Sequence, residues 1–127
     1  MPRHNSWTAS NLKTILFDLD DTLLVNPMSQ FIPAYISRFS EFVQDIVSPE
    51  QFSSSQLRGV RAMEKDRDSS STNEHVFFTE FFSHVGVEEC RLRPRLERFY
   101  TEEYPKLAEL TRPAKNSRKT VEAALQV

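Results

Sequence analysis

One short run constrains this chain more than any other. Ile15, Leu16 and Phe17 are continuously apolar and lead straight into Asp18, Asp20 and Asp21. An unbroken apolar run of this kind suits a strand buried on both faces of a parallel sheet. The reading is a strand over Lys13–Leu19 with Asp18 at its carboxyl end, where open α/β sheets place their ligand sites. No second run of the same kind occurs in the 127 residues. A lone strand leaves backbone groups unpaired on both edges, and a buried unpaired amide is costly. The expectation is therefore the first half of a larger α/β protein, cut after the helix that would feed the next strand.

The rest of the chain reads as helices. Leu23 to Pro27 is a tight excursion, because Pro27 stops regular structure. From Met28 to Val47, Phe31, Ile32, Tyr35, Ile36, Phe39, Phe42, Val43 and Ile46 recur at helical spacing. Ser48-Pro49 reads as a cap followed by a first-turn proline. The helix it opens carries Phe52, Leu57, Val60 and Met63 as its apolar stripe, up to about Lys65. Asp66 to Thr72 is a charged, serine-rich loop. Thr72 or Asn73 caps a strongly aromatic helix that Gly86 ends. Glu88 to Leu110 is mostly helical, with Pro94 as a kink or restart and Pro105 as its end. After a break at Thr111-Arg112-Pro113, Ala114 to Val127 forms a last amphipathic helix with Val121, Ala124 and Leu125 on one face. The phenylalanine-rich middle reads as a small helical bundle.

Composition excludes several classes. A net charge of −2 leaves no electrostatic footprint for nucleic acid. No apolar run is long enough to span a bilayer, and the first seven residues lack the apolar core of a secretory signal. Gly59 and Gly86 are the only glycines, so there is no glycine-rich phosphate loop. Cys90 is the single cysteine, which rules out an internal disulfide and fits a reducing cytoplasm. It reads as a half-buried helix residue. His4, His75 and His84 show no partner spacing, and Arg91, Arg93, Arg95 and Arg98, interleaved with Glu97 and Glu102, read as a solvated, ion-paired face.

The carboxylates are the chemically informative residues. Three within four positions repel one another unless a cation or proton lies between them. A hard ion such as Mg²⁺ suits an all-oxygen donor set. An aspartate can also attack phosphorus to form an aspartyl-phosphate, while a second one protonates the leaving oxygen and then deprotonates water. A polar turn with aspartates capping the next helix accounts for one of the three. No EF-hand loop is present.

Phe17-Asp18-Leu19-Asp20-Asp21-Thr22-Leu23 resembles the first motif, DxDxT/V, of the haloacid dehalogenase-like hydrolases. The resemblance implies an α/β, Rossmann-like core with an inserted all-helical cap. The core would take residues 1–26 and a returning linker and helix at 111–127, with the cap at 27–110. It implies a Mg²⁺-dependent phosphatase-type hydrolase acting on a small phosphorylated substrate. Asp18 would be nucleophile and a metal ligand through its carboxylate, Asp20 general acid/base with its backbone carbonyl on the metal, and Thr22 a substrate-loop residue that hydrogen-bonds Asp20. Asp21 replaces the glycine common in such phosphatases and reads as a capping or supporting residue. Lys65, Arg67 and Asn73 lie on a cap loop that could face the site, although an exposed charged loop explains them better.

The resemblance stops short of the later motifs. The family continues with a strand ending in Ser or Thr, then a Lys or Arg, then a strand ending in acidic residues. Thr111, Thr120, Lys115 and Lys119 lie in a polar linker and helix start, not after apolar strands. The chain by itself is thus expected to be inactive or very slow. The alternative is a non-catalytic helical module that keeps the motif as a relic and binds a protein partner. The oligomeric state is not legible from the sequence.

Overall fold

The computed structural model describes residues 12–126. The expectations for residues 1–11, including Trp7 and His4, and for Val127 lie outside the described residues. The chain forms two compact units, one running up to Met28 and resuming at Glu109, the other spanning Ser29–Ala108.

The second unit is helical. Helix α1 spans Met28–Phe42, α2 Pro49–Lys65, α3 Asn73–Val85 and α4 Glu89–Glu102, followed by a tighter 3₁₀ stretch over Tyr104–Leu110. Local chemistry sets most of these ends. The Ser48 side chain accepts the Gln51 amide at 3.3 Å with Pro49 in the first turn of α2. Thr72, rather than Asn73, caps α3, its Oγ1 accepting the His75 amide at 3.1 Å. Gly86 ends α3 at φ 73°, a left-handed conformation glycine adopts without steric cost. Helix α4 runs through Pro94 without interruption. Helix α1 stops earlier than the apolar spacing predicts. The Ile46 amide turns to Val43 O at 2.9 Å, and the Phe42 carbonyl is taken instead by the Arg95 guanidinium at 2.8 Å.

Aromatic rings dominate the core of this unit. Phe39 stacks on Phe99 with centroids 3.8 Å apart and planes within 7°. Phe39 meets Phe52 edge-on at 4.9 Å, and Phe52 meets Phe81 at 5.7 Å. Val43, Val47, Val85, Leu92 and Leu96 fill in around them. Helices α2 and α3 pack along their lengths. Their contacts run in opposite order: Gln51 to His84, Phe52 to Phe81, Arg58 to Glu80, Gly59 to Phe77. The pair is therefore antiparallel. The buried face of α2 is Phe52, Ser55, Gln56 and Gly59. Leu57 and Val60, assigned to the apolar stripe by spacing, are exposed. The reason is volume: small residues on α2 leave room for the rings of α3.

The first unit carries one two-stranded sheet, β1 (Leu24–Val25) and β2 (Arg112–Pro113), paired antiparallel with Leu24 opposite Pro113 and Val25 opposite Arg112. Helix α5 follows over Ser117–Ala124. The strand expected over Lys13–Leu19 is not formed: residues 12–18 are neither helix nor strand. Ile15, Leu16 and Phe17, expected to be buried, are exposed, Leu16 at 90%. Strand geometry is held by ladder hydrogen bonds to a neighbour, and no described residue supplies one here. Among the described residues there is no parallel sheet, and the chain is mostly helical. Leu12, Ile15 and Phe17 instead line an open groove of about 430 Å³ with Val121, Ala124 and Leu125 of α5.

Candidate functional site

The acidic loop is organised around one carbonyl. Leu19 O accepts the amides of Thr22, Leu23 and Leu24 at 3.3, 3.0 and 2.9 Å, while the Asp21 amide donates to Leu24 O at 2.7 Å. This closes a tight turn whose exit is β1. The Ala114 amide donates to Leu23 O at 2.8 Å, so the returning segment clamps the same turn. Asp21 sits at φ 56°, a left-handed conformation that Asp tolerates better than most residues. That backbone requirement accounts for a residue at position 21 that is either glycine or a short polar side chain.

Asp18, Asp20, Asp21 and Thr22 are all exposed. Thr22 Oγ1 donates to Asp18 Oδ2 at 3.5 Å, the outer limit of a hydrogen bond. The expected partnership of Thr22 with Asp20 is not formed. Asp20 is held by a residue that sequence reasoning passed over. Asn26 Nδ2 donates to Asp20 Oδ1 at 3.1 Å, and the Asn26 amide donates to Asp21 Oδ1 at 3.4 Å. Asn26 is only 5% exposed. Its position before Pro27 reads as turn punctuation, and that reading concealed it.

The donor chemistry suits a hard cation. Asp18 and Asp20 offer exposed carboxylate oxygens from one loop, and Mg²⁺ is commonly held by one or two carboxylates with waters completing the shell. Among the described residues no three His, Cys, Asp or Glu side chains converge as a metal centre. The Asp21 carboxylate is tied to the Asn26 amide and braces the loop.

The remaining candidates among the described residues lie in the helical unit. Arg67 Nη1 donates to the Glu64 and Asp66 carbonyls, closing its own loop. Lys65 and Asn73 are exposed. The His75 amide donates to the Thr72 cap of α3 and the His84 carbonyl accepts from the Gln51 side chain. Arg93 pairs with Glu89 and Arg98 with Glu102 along α4, while Arg95 pairs with Asp45 at 2.8 Å. The Glu102 carboxyl is lowered and the Arg98 guanidinium raised, chiefly by their mutual hydrogen bond. Cys90 is exposed in the first turn of α4, not half-buried.

Among the described residues the one strongly perturbed group lies in the helical unit. Burial, then the hydrogen bond to Tyr100, push the Tyr35 hydroxyl far above the ordinary tyrosine range. The two hydroxyls are 2.9 Å apart.

Comparison with protein-family models, with curated proteins and with solved structures gives no match for the chain. Among the described residues no helix is long and apolar enough to cross a membrane.

Proposed function

We propose that this chain carries the nucleophile loop of a Mg²⁺-dependent phosphatase-type hydrolase of the haloacid dehalogenase-like kind, with a Rossmann-like core and a helical cap. The observation that supports it is the division of labour in the acidic loop. Asp18 presents an exposed carboxylate with only a long contact to Thr22, whereas Asp20 is oriented by a buried carboxamide. Two carboxylates held differently on one turn suit two roles.

The Asp18 carboxylate oxygen attacks phosphorus in a small phosphate monoester, giving an aspartyl-phosphate as the ester oxygen leaves. Asp20 gives its proton to that oxygen, then takes one from the water that hydrolyses the acyl-phosphate. Asp18 and Asp20 are the residues that would hold Mg²⁺, which when bound neutralises charge on the phosphoryl oxygens. Catalysis of phosphoryl transfer is mainly positioning and charge stabilisation. The later family motifs that supply the Lys and further acids are not found in this sequence, so turnover by this chain alone is expected to be slow or nil.

The test is release of p-nitrophenol from p-nitrophenyl phosphate with Mg²⁺. It compares the chain, its Asp18→Asn variant, and the chain with any residues that follow position 127 in its reading frame. Mg²⁺-dependent hydrolysis by the extended chain, little or none by the chain alone, and its loss with Asp18→Asn are the expected results. Hydrolysis indifferent to Asp18→Asn, or none in any form while circular dichroism shows folded helices, overturns the enzyme reading.

A second reading, a non-catalytic module that binds a protein partner, is favoured by the exposed apolar residues Leu12, Ile15, Leu16, Phe17 and Leu19. Several large apolar side chains exposed along one short segment are a feature of interaction surfaces. The absence of hydrolysis in every form would leave this reading standing.

A further inference from the structure

The structure assigns Asn26 as the positioning residue for Asp20. Its chemical meaning rests on the phosphoryl-transfer reading above.

Asn26 is the only residue of the first unit, among those described, that is buried. Every described apolar side chain of that unit is at least partly open to solvent. Burying a carboxamide here is unfavourable unless its polar atoms are used. Two of its donors are used, and both go to the acidic loop. The side-chain nitrogen reaches the Asp20 carboxylate at 3.1 Å and the backbone amide reaches Asp21 at 3.4 Å. Asn26 directly follows β1, whose pairing with β2 fixes its backbone. The side chain therefore ties a sheet-anchored point to Asp20, six residues earlier. Its Oδ1 is buried with no hydrogen-bond partner. A buried acceptor left unmatched is a cost, which the charge-assisted bond to the carboxylate offsets. Without this tether, Asp20 would be an exposed carboxylate free to change rotamer.

The consequence is a coupling between positions 26 and 20 that a merely space-filling Asn26 would not show. Asp20 is exposed, so Asp20→Ala removes the acceptor with little risk to folding. Hydrogen exchange of the Asn26 carboxamide protons, followed by NMR, is expected to speed up about tenfold or more in Asp20→Ala. The Asp18→Asn variant should leave it unchanged. In the reverse direction, Asn26→Leu is expected to weaken Mg²⁺ binding about 10- to 100-fold by calorimetry. That loss should vanish when Asn26→Leu is added to Asp20→Ala, because the two changes remove one interaction.

Carboxamide exchange indifferent to Asp20→Ala would overturn the assignment whatever the metal does. Additive losses of Mg²⁺ affinity would do the same. Accelerated exchange in a chain that shows no Mg²⁺ binding would uphold the tether while refuting the metal-dependent function. The two failures are thus distinguishable.

Discussion

Replacing Gly59 by alanine sets two opposed effects against each other, and the structure decides the sign. In an ordinary helix the change stabilises, because alanine exceeds glycine in helix propensity by about 1 kcal/mol. Here a Cβ on residue 59 would lie 2.6 and 2.7 Å from two ring carbons of Phe77. Carbon atoms prefer about 3.5–4.0 Å, so the overlap is near 1 Å. The ring has little room to yield. It stacks on Phe81 with centroids 5.6 Å apart and meets Phe78 edge-on at 5.1 Å. Relief requires an off-rotamer Phe77 or a shift of α3 away from α2, and overpacking of this sort costs about 1–3 kcal/mol. The overlap falls on a stacked ring rather than a flexible chain end, which places the cost in the upper half of that range. The net expectation for Gly59→Ala is a loss of about 1–2 kcal/mol after the propensity gain is subtracted. Urea unfolding followed by far-ultraviolet circular dichroism measures it, with Phe77→Ala and the double variant completing a cycle. In the Phe77→Ala background the overlap is gone, and Gly59→Ala should become neutral or stabilising by up to about 1 kcal/mol. Additive effects, or a Gly59→Ala variant more stable than the parent with Phe77 present, would refute the packing argument.

Two further outcomes follow from particular contacts. Ser48→Ala and Thr72→Ala each remove an N-cap acceptor and should each cost about 1 kcal/mol. Because they cap different helices, their effects should add in the same urea assay. Tyr35 governs an alkaline response. Its folded-state hydroxyl is raised mainly by burial, whereas an unfolded tyrosine ionises near pH 10. The stabilisation is complete below the unfolded value, where both states hold the proton. Above about pH 10 the unfolded state loses its proton while the folded state keeps it, so stability falls as pH rises. Denaturation measured between neutral pH and pH 11 should show this fall, and Tyr35→Phe should flatten it. An equal alkaline slope in parent and variant would show that Tyr35 is not the group responsible.

Much of the helical unit is legible in the residues because its signals are local. Ser48-Pro49, Thr72 and Gly86 act through hydrogen bonds or φ angles spanning only a few positions, and each marks a helix end where spacing places one. Aromatic periodicity likewise identifies Phe39, Phe81 and Phe99 as core residues. It fails on α2, because there the buried face is defined by the partner helix. Ser55, Gln56 and Gly59 face inward to admit aromatic rings, and Leu57 and Val60 are turned out. The end of α1 escapes for a similar reason, since a guanidinium from α4 claims the Phe42 carbonyl from 53 positions away.

The acidic loop divides along the same line. Residue types and spacing alone determine that Asp18, Asp20 and Asp21 share one short polar segment after an apolar run, and that their chemistry is that of hard oxygen donors. The tertiary structure decides which of them is tethered. Asp20 is held and Asp18 is not because β1 pairs with residues near position 112, setting Asn26 beside the turn. It also decides that Ile15, Leu16 and Phe17 form no strand. Apolar character favours burial, but a strand exists only where a second backbone completes its hydrogen bonds.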